Sequence, residues 1–236
     1  MMGLAHYASQ DFYFNRLKGY AMKIGFLCND PSHPVNNYLY AWIKKNNSKH
    51  EIELVRQKKG LSGGDILFLI SCTEIISSQE RNAYMNCLVI HASDLPKGRG
   101  WSPHIWSILE GKEEITLTLL EANDEVDSGK IWKKLNFQVP KHALWDEINH
   151  QLFEKEIELI DFAVSNFKSV SPKPQDINIA PTYYSKRTPM DSAIDPFKSI
   201  ESQFDKIRVC DPKRFPAYME LYGEKYKITL EKINDQ

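Results

Sequence analysis

Residues 91–103 read HASDLPKGRGWSP and follow the short apolar run CLVI (87–90). A run of that length bounded by turn residues reads as a buried strand, so a histidine stands where the strand runs out. The residues after it include Pro96, Gly98, Gly100 and Pro103. Glycine lets a backbone approach a neighbour closely and proline restricts its alternatives, so this connection is predicted to be stiff. Ser102-Pro103 then reads as a helix start, with Ser as cap and Pro in the first turn. Ile105, Trp106 and Leu109 supply the buried stripe of that helix.

Upstream, from Met22, apolar runs alternate with helical patterns. MKIGFLC (22–28) and DILFLIS (65–71) read as strands, and EIELVR (51–56) alternates with period two. VNNYLYAWIKKN (35–46) places Val35, Leu39, Trp42 and Ile43 at helical spacing, and SSQERNAYM (77–85) is predicted helical. Such alternation predicts βαβ units and a parallel sheet covered on both faces. Downstream, ITLTLLE (115–121) and KIWKKLNF (130–137) read as strands joined by the acidic loop ANDEVDSG. Leu144, Ile148, Leu152, Leu159, Ala163 and Phe167 mark one face of a long helix from about 143 to 168.

SVSPKPQDINIAP (169–181) holds three prolines and reads as a linker. Beyond it, a helix is predicted at 196–206, and FPAYMELYG and EKYKITLEKI read as strands turning at Gly223-Glu224. The expected fold is α/β, an open, mostly parallel sheet with a small β-rich C-terminal subdomain. The expected boundaries are a leader or expression remnant over 1–21, a catalytic domain over 22–168, the linker over 169–181 and the subdomain over 182–236.

Formal charge is -1, with pI ≈ 6.7, so there is no bulk basic field to gather nucleic acid. Cys28, Cys72, Cys87 and Cys210 show no metal-ligand or CxxC spacing and read as reduced thiols of a cytoplasmic protein. No metal site is expected. No run approaches the ~18 apolar residues of a membrane span, and residues 1–21 lack the continuous apolar segment of a signal peptide.

At the end of strand 87–90, His91 occupies the position where open parallel sheets hold their ligands. Asp127 lies in the loop after the neighbouring strand, so the two side chains can converge. Such a pair suits acid–base work, because imidazole titrates near neutrality and a carboxylate can orient it or take a proton. The plainer reading, a loop histidine and a turn aspartate before Gly129, stands beside it. Lys97 and Arg99 suit a substrate phosphate or are simply solvated. His33, Asn36 and Asn37 in NDPSHPVNNY face the same crevice in the expected topology, or serve a helix-capping loop. Trp101 and Trp106 read as core or crevice wall. No GxGxxG, P-loop or HExxH motif occurs.

At these residues the chain resembles the formyltransferases that use 10-formyltetrahydrofolate, a group that includes methionyl-tRNA formyltransferase and the sugar-nucleotide N-formyltransferases. The family's histidine and its Pro/Gly loop are matched by His91-Ala92-Ser93-Asp94-Leu95-Pro96-Lys97-Gly98-Arg99-Gly100. Its acidic loop is matched by Asn123 to Ile131, and its passage into a small second domain by Thr182 to Pro189 and on to Asp195. Val89 stands where the family usually carries Asn. The resemblance implies a sheet of formyltransferase type and a catalytic His91/Asp127 pair. It also implies folate contacts at Ser71, Cys72, Ile75, Ile76, Asn123, Asp124 and Val126.

With substrate contacts at Asn36, Asn37, Lys97, Arg99 and Trp101, the expected reaction is formyl transfer to the amine of a nucleotide-linked amino sugar in surface glycan (lipopolysaccharide) biosynthesis. A homodimer through the C-terminal part is the expected assembly, with no membrane or nucleic-acid partner. The alternatives are methionyl-tRNA formyl transfer and a silent binding homologue.

Overall fold

A computed structural model of the chain describes residues 21–233. Residues 1–20 and 234–236 lie outside the described residues, and with them all of the expected leader except Ala21. The described residues form two compact units, one ending at Leu88 and the other beginning at Val89.

In the first unit, β1 (Lys23–Leu27) pairs in parallel with both β2 (Glu51–Val55) and β3 (Gly64–Leu69). Every β1 residue after Lys23 is buried, which is why this strand is continuously apolar rather than alternating. Phe26 stacks on Phe68 of β3 at 5.2 Å between ring centroids. It meets Trp42 of α1 (Val35–Asn46) edge-on at 5.4 Å, so the helix covers this face through the predicted stripe.

The predicted helix over 77–85 is only a turn long, α2 (Ser78–Arg81). Ser77 and Glu80 form its capping box, but the chain is already extended at Tyr84, where β4 (Tyr84–His91) begins. Tyr84 is buried and donates its hydroxyl to Glu53, so tertiary packing overrides the local helical pattern. The strand order is β2-β1-β3-β4, then β6 (Glu114–Glu121) and β7 (Ile131–Gln138), a six-stranded, mostly parallel sheet.

In the second unit, β6 and β7 form an antiparallel pair with an irregularity between Leu119 and Leu120. The dipeptide β5 (Arg99–Gly100) precedes α3 (Pro103–Leu109), which does start at Pro103. Ser102, however, makes no side-chain cap and takes a left-handed φ of 47°. Helix α4 (Trp145–Asn166) buries Ile148, Leu152, Leu159 and Ala163 as the periodicity predicts, and Glu156 as well. The segment read as a linker is attached here: Lys173 bridges Ile131 at the start of β7. After it, β8 (Tyr183–Tyr184) pairs in parallel with β5.

The C-terminal part contains α5 (Phe204–Arg208), later and shorter than predicted, and the hairpin β9 (Ala217–Leu221) and β10 (Glu224–Ile228). That hairpin turns at Tyr222-Gly223, both at positive φ. Ile194, Ile207, Cys210 and Ala217 form its small core. Among the described residues no helix is long and apolar enough to cross a membrane.

Candidate active site

His91 ends β4 and is buried, and Asp127 sits in the loop between β6 and β7. The two meet: Nδ1 of His91 lies 3.5 Å from Oδ2 of Asp127, with only 8% of either side chain exposed. The other ring nitrogen, Nε2, lies 2.8 Å from the Gly98 carbonyl oxygen. A carbonyl only accepts, so Nε2 carries a hydrogen. A neutral ring would then turn a lone pair on Nδ1 toward the carboxylate, whereas a ring protonated on both nitrogens satisfies both acceptors. Oδ2 of Asp127 also accepts the Gly100 N–H at 2.9 Å.

The loops that carry the pair are as constrained as the sequence suggests. Gly100 has φ +97, and a Cβ on it would lie 2.5 Å from the Tyr184 carbonyl oxygen, so only glycine lets β8 pack there. The Gly98 N–H donates to the Thr182 hydroxyl at 2.8 Å. A Cβ on Gly129 would lie 1.8 Å from the Glu121 carbonyl oxygen, which fixes the Asp127 loop against the end of β6. Asp127 itself has φ 54.

The remaining predicted residues divide sharply. Arg99 is buried, with its guanidinium on Glu125 at 2.6 Å, Tyr183 at 3.1 Å and Gln175 at 3.0 Å. Lys97 and Trp101 are exposed, the latter with Lys186 4.8 Å from its ring. Trp106 stacks on Tyr184 and donates its indole N–H to the Ser185 carbonyl. Asn123, Asp124 and Val126 are exposed on the acidic loop.

In the first unit, Asn37 is exposed, but Asn36 is buried with its amide nitrogen donating to the Asp30, Pro31 and His33 carbonyls. Its oxygen accepts from Arg56 at 2.6 Å, so Asn36 ties the loop before α1 together without capping that helix, whose N-terminus has no side-chain cap. Ser71 and Ile75 are exposed and Ile76 is buried. Burial pushes the Cys72 thiol up to about 11, so it is no nucleophile at neutral pH.

Sequence reasoning missed Gln175, Thr182 and Tyr183 as neighbours of the pair. Gln175 lies in the segment that reads as a linker, and Thr182 and Tyr183 at the start of the expected subdomain, where nothing local marks them as neighbours of the pair. Among the described residues no group of three or more His, Cys, Asp or Glu side chains is arranged to hold a metal ion.

Comparison with known proteins gives a consistent set of likenesses. The family described as "Formyl transferase" matches residues 22–164. The methionyl-tRNA formyltransferase of Rickettsia bellii is 30% identical over 168 residues, which cover 71% of this chain and 54% of that protein. The chain thus spans about half the length of the curated relatives it matches.

Among solved structures, the methionyl-tRNA formyltransferase from Clostridium thermocellum superposes with a TM-score of 0.77 at 20% identity, over 90% of this chain and 94% of that one. HypX from Aquifex aeolicus, in complex with tetrahydrofolic acid, gives 0.71 at 20% identity over 89% of this chain and 38% of that one. A 4-N formyltransferase from Francisella tularensis gives 0.67 at 19% identity over 90% of this chain and 99% of that one. At these identities the structural likeness is a likeness of fold.

Proposed function

The chain belongs to the formyl transferase family, and on that premise we propose that it moves a formyl group from 10-formyltetrahydrofolate to the primary amine of a nucleotide-linked amino sugar. The observation that carries the reading is the buried His91–Asp127 pair, an acid–base couple at the end of a sheet strand. When bound, the folate supplies an electrophilic formyl carbon on a nitrogen that can leave. Of the residues offered for it, Val126 is 54% exposed and adjoins the exposed polar side chains of Asn123 and Asp124, which suits a flat ring with a polar edge. In the first unit, considered by itself, Ile75 is 76% exposed and Ser71 is exposed.

Asp127 takes the proton that the amine sheds on attack. His91, with its hydrogen on Nε2, exchanges the Gly98 carbonyl for the oxygen on which charge develops. One such donor is worth ~2.7–4 kcal/mol in acyl transfer, and Val89 offers none, so His91 bears more of this work. Lys97, Trp101 and Asn37 are exposed and remain the proposed sugar-nucleotide contacts. The catalytic domain in this reading is 22–168, with 182–236 as the subdomain through which two copies associate. The reaction serves surface glycan synthesis in the cytoplasm.

The sugar amine is favoured because a net charge of -1 gives the chain no bulk basic field with which to gather tRNA. The likeness to a 4-N formyltransferase supports the same choice. The methionyl-tRNA formyltransferase relatives support the second reading, transfer to methionyl-tRNA.

Incubation with 10-formyltetrahydrofolate and nucleotide-linked 3-amino and 4-amino sugars, followed by mass detection of an added formyl group, tests the first reading. Formylation of methionyl-tRNA instead, with binding that weakens steeply with salt, selects the second. His91→Asn and Asp127→Asn are each expected to lose ~10²-fold or more in kcat at an unchanged melting temperature. Full activity in both variants sinks the assignment.

A further inference from the structure

The segment from Lys173 to Tyr184 lies across both loops of the pair. Lys173 exchanges backbone hydrogen bonds with Ile131 at 2.7 and 2.9 Å. Gln175 sends its amide nitrogen into the Asp127 loop, donating to the carbonyl oxygens of Asp127 at 2.7 Å and Gly129 at 3.0 Å. Its amide oxygen accepts from Nη2 of Arg99 at 3.0 Å. That last contact decides which way the amide faces. A guanidinium has donors only, so it takes the oxygen and leaves the NH₂ for the two carbonyls. Arg99 is itself held by Glu125 and Tyr183, with its guanidinium 5.8 Å from the Tyr183 ring centroid.

Asp127 has a φ of 54°, in the left-handed region that Asp enters more readily than most side-chain-bearing residues but still as a minor conformation. It is held at both ends. Its carbonyl is fixed by Gln175, and its carboxylate by the Gly100 N–H. Both holds lead back to the dipeptide Arg99-Gly100, in the loop whose Gly98 carbonyl receives His91. Without the Gln175 hold on its backbone, the carboxylate is kept at the ring by the Gly100 N–H alone.

We propose that Gln175, oriented by Arg99, is a positioning residue that sets the Asp127 carboxylate against His91. Arg99 then serves Asp127 rather than a substrate phosphate, which revises its expected role. The kinetic consequence rests on the formyl-transfer reading, whereas the structural consequence does not.

Two variants test it in the full chain. Gln175→Met keeps length and volume but removes both the donors to the carbonyls and the acceptor for Arg99. Gln175→Glu keeps an acceptor for Arg99 and turns a second carboxylate oxygen toward the carbonyls. Both are expected to melt within a few degrees of wild type. In both, kcat for formyl transfer falls ~10–100-fold, while KM for donor and amine changes by less than about threefold, the misplacement being felt in the transition state.

The ¹⁵N resonances of the His91 imidazole move in each variant in the direction they move in Asp127→Asn. His91 resonances that stay at their wild-type positions in a folded Gln175 variant overturn the proposal, and so does a variant that loses stability while keeping kcat. If the wild-type chain formylates none of the amines offered, the formyl-transfer reading has failed and the His91 resonances still decide the role of Gln175.

Discussion

Glu156 puts a carboxyl on the buried face of α4, and its Oε2 has no hydrogen-bond partner. Burial disfavours the charged form and pushes this acid from an ordinary 4.5 up to about 8. The folded chain therefore keeps the proton between those values while the unfolded chain gives it up. The protonated form's contribution to stability is present below the unfolded value and is lost as pH rises through the folded one. Each pH unit in that window removes up to ~1.4 kcal/mol. Glu156→Gln abolishes the titration and keeps the shape. In urea denaturation its stability advantage over wild type is expected to grow from pH 5 to pH 8. An advantage that is flat or shrinks across that range contradicts the assignment.

At the level of elements, the strands with continuous apolar runs were legible, because β1, β3 and β4 bury side chains on both faces and their composition says so. The meeting of His91 and Asp127 was legible too, since the end of β4 and the loop after the neighbouring β6 bring them to one edge, and the family resemblance singled out the same two residues. The β5–β8 ladder was not, because two residues on each side leave no periodicity. The burial of Arg99 was not legible for the same reason: a cation in a glycine-rich loop looks accessible, and its partners Gln175 and Tyr183 are distant in sequence. Close approach of backbone is equally silent in sequence, and it gives a test. Gly129→Ala must push the loop off β6, whereas Gly111→Ala, at φ +83 with nothing within 4 Å, meets only backbone strain of ~1–2 kcal/mol. Gly129→Ala is expected to cost both stability and formyl transfer, and Gly111→Ala only a few degrees of melting temperature. Equal effects on activity refute a special role for the Gly129 contact.

For the whole molecule, the C-terminal part is fastened to the approach to α4 by Arg208. It is 2% exposed and donates to the carbonyls of Pro140 at 3.2 Å and Ala143 at 3.0 Å, with Asp205 on its Nε at 2.6 Å. Arg208→Met keeps much of the packing but takes the guanidinium donor from both carbonyls, leaving Pro140 only the Ala143 N–H at 2.9 Å. The expected loss is ~3 kcal/mol in denaturant unfolding, with earlier proteolytic cleavage in 169–200. Unchanged stability and cleavage would mean that this fastening is redundant.

The brace formed by Lys173 to Tyr184 also sets an order in time. Ribosomes make the His91 loop first and the Asp127 loop next, yet 48 residues separate Asp127 from Gln175, and 84 separate Gly98 from the Thr182 hydroxyl that it binds. A nascent chain that has completed both loops holds them unsecured until translation is well past α4, so an interrupted product can carry every residue of the pair and still lack its geometry.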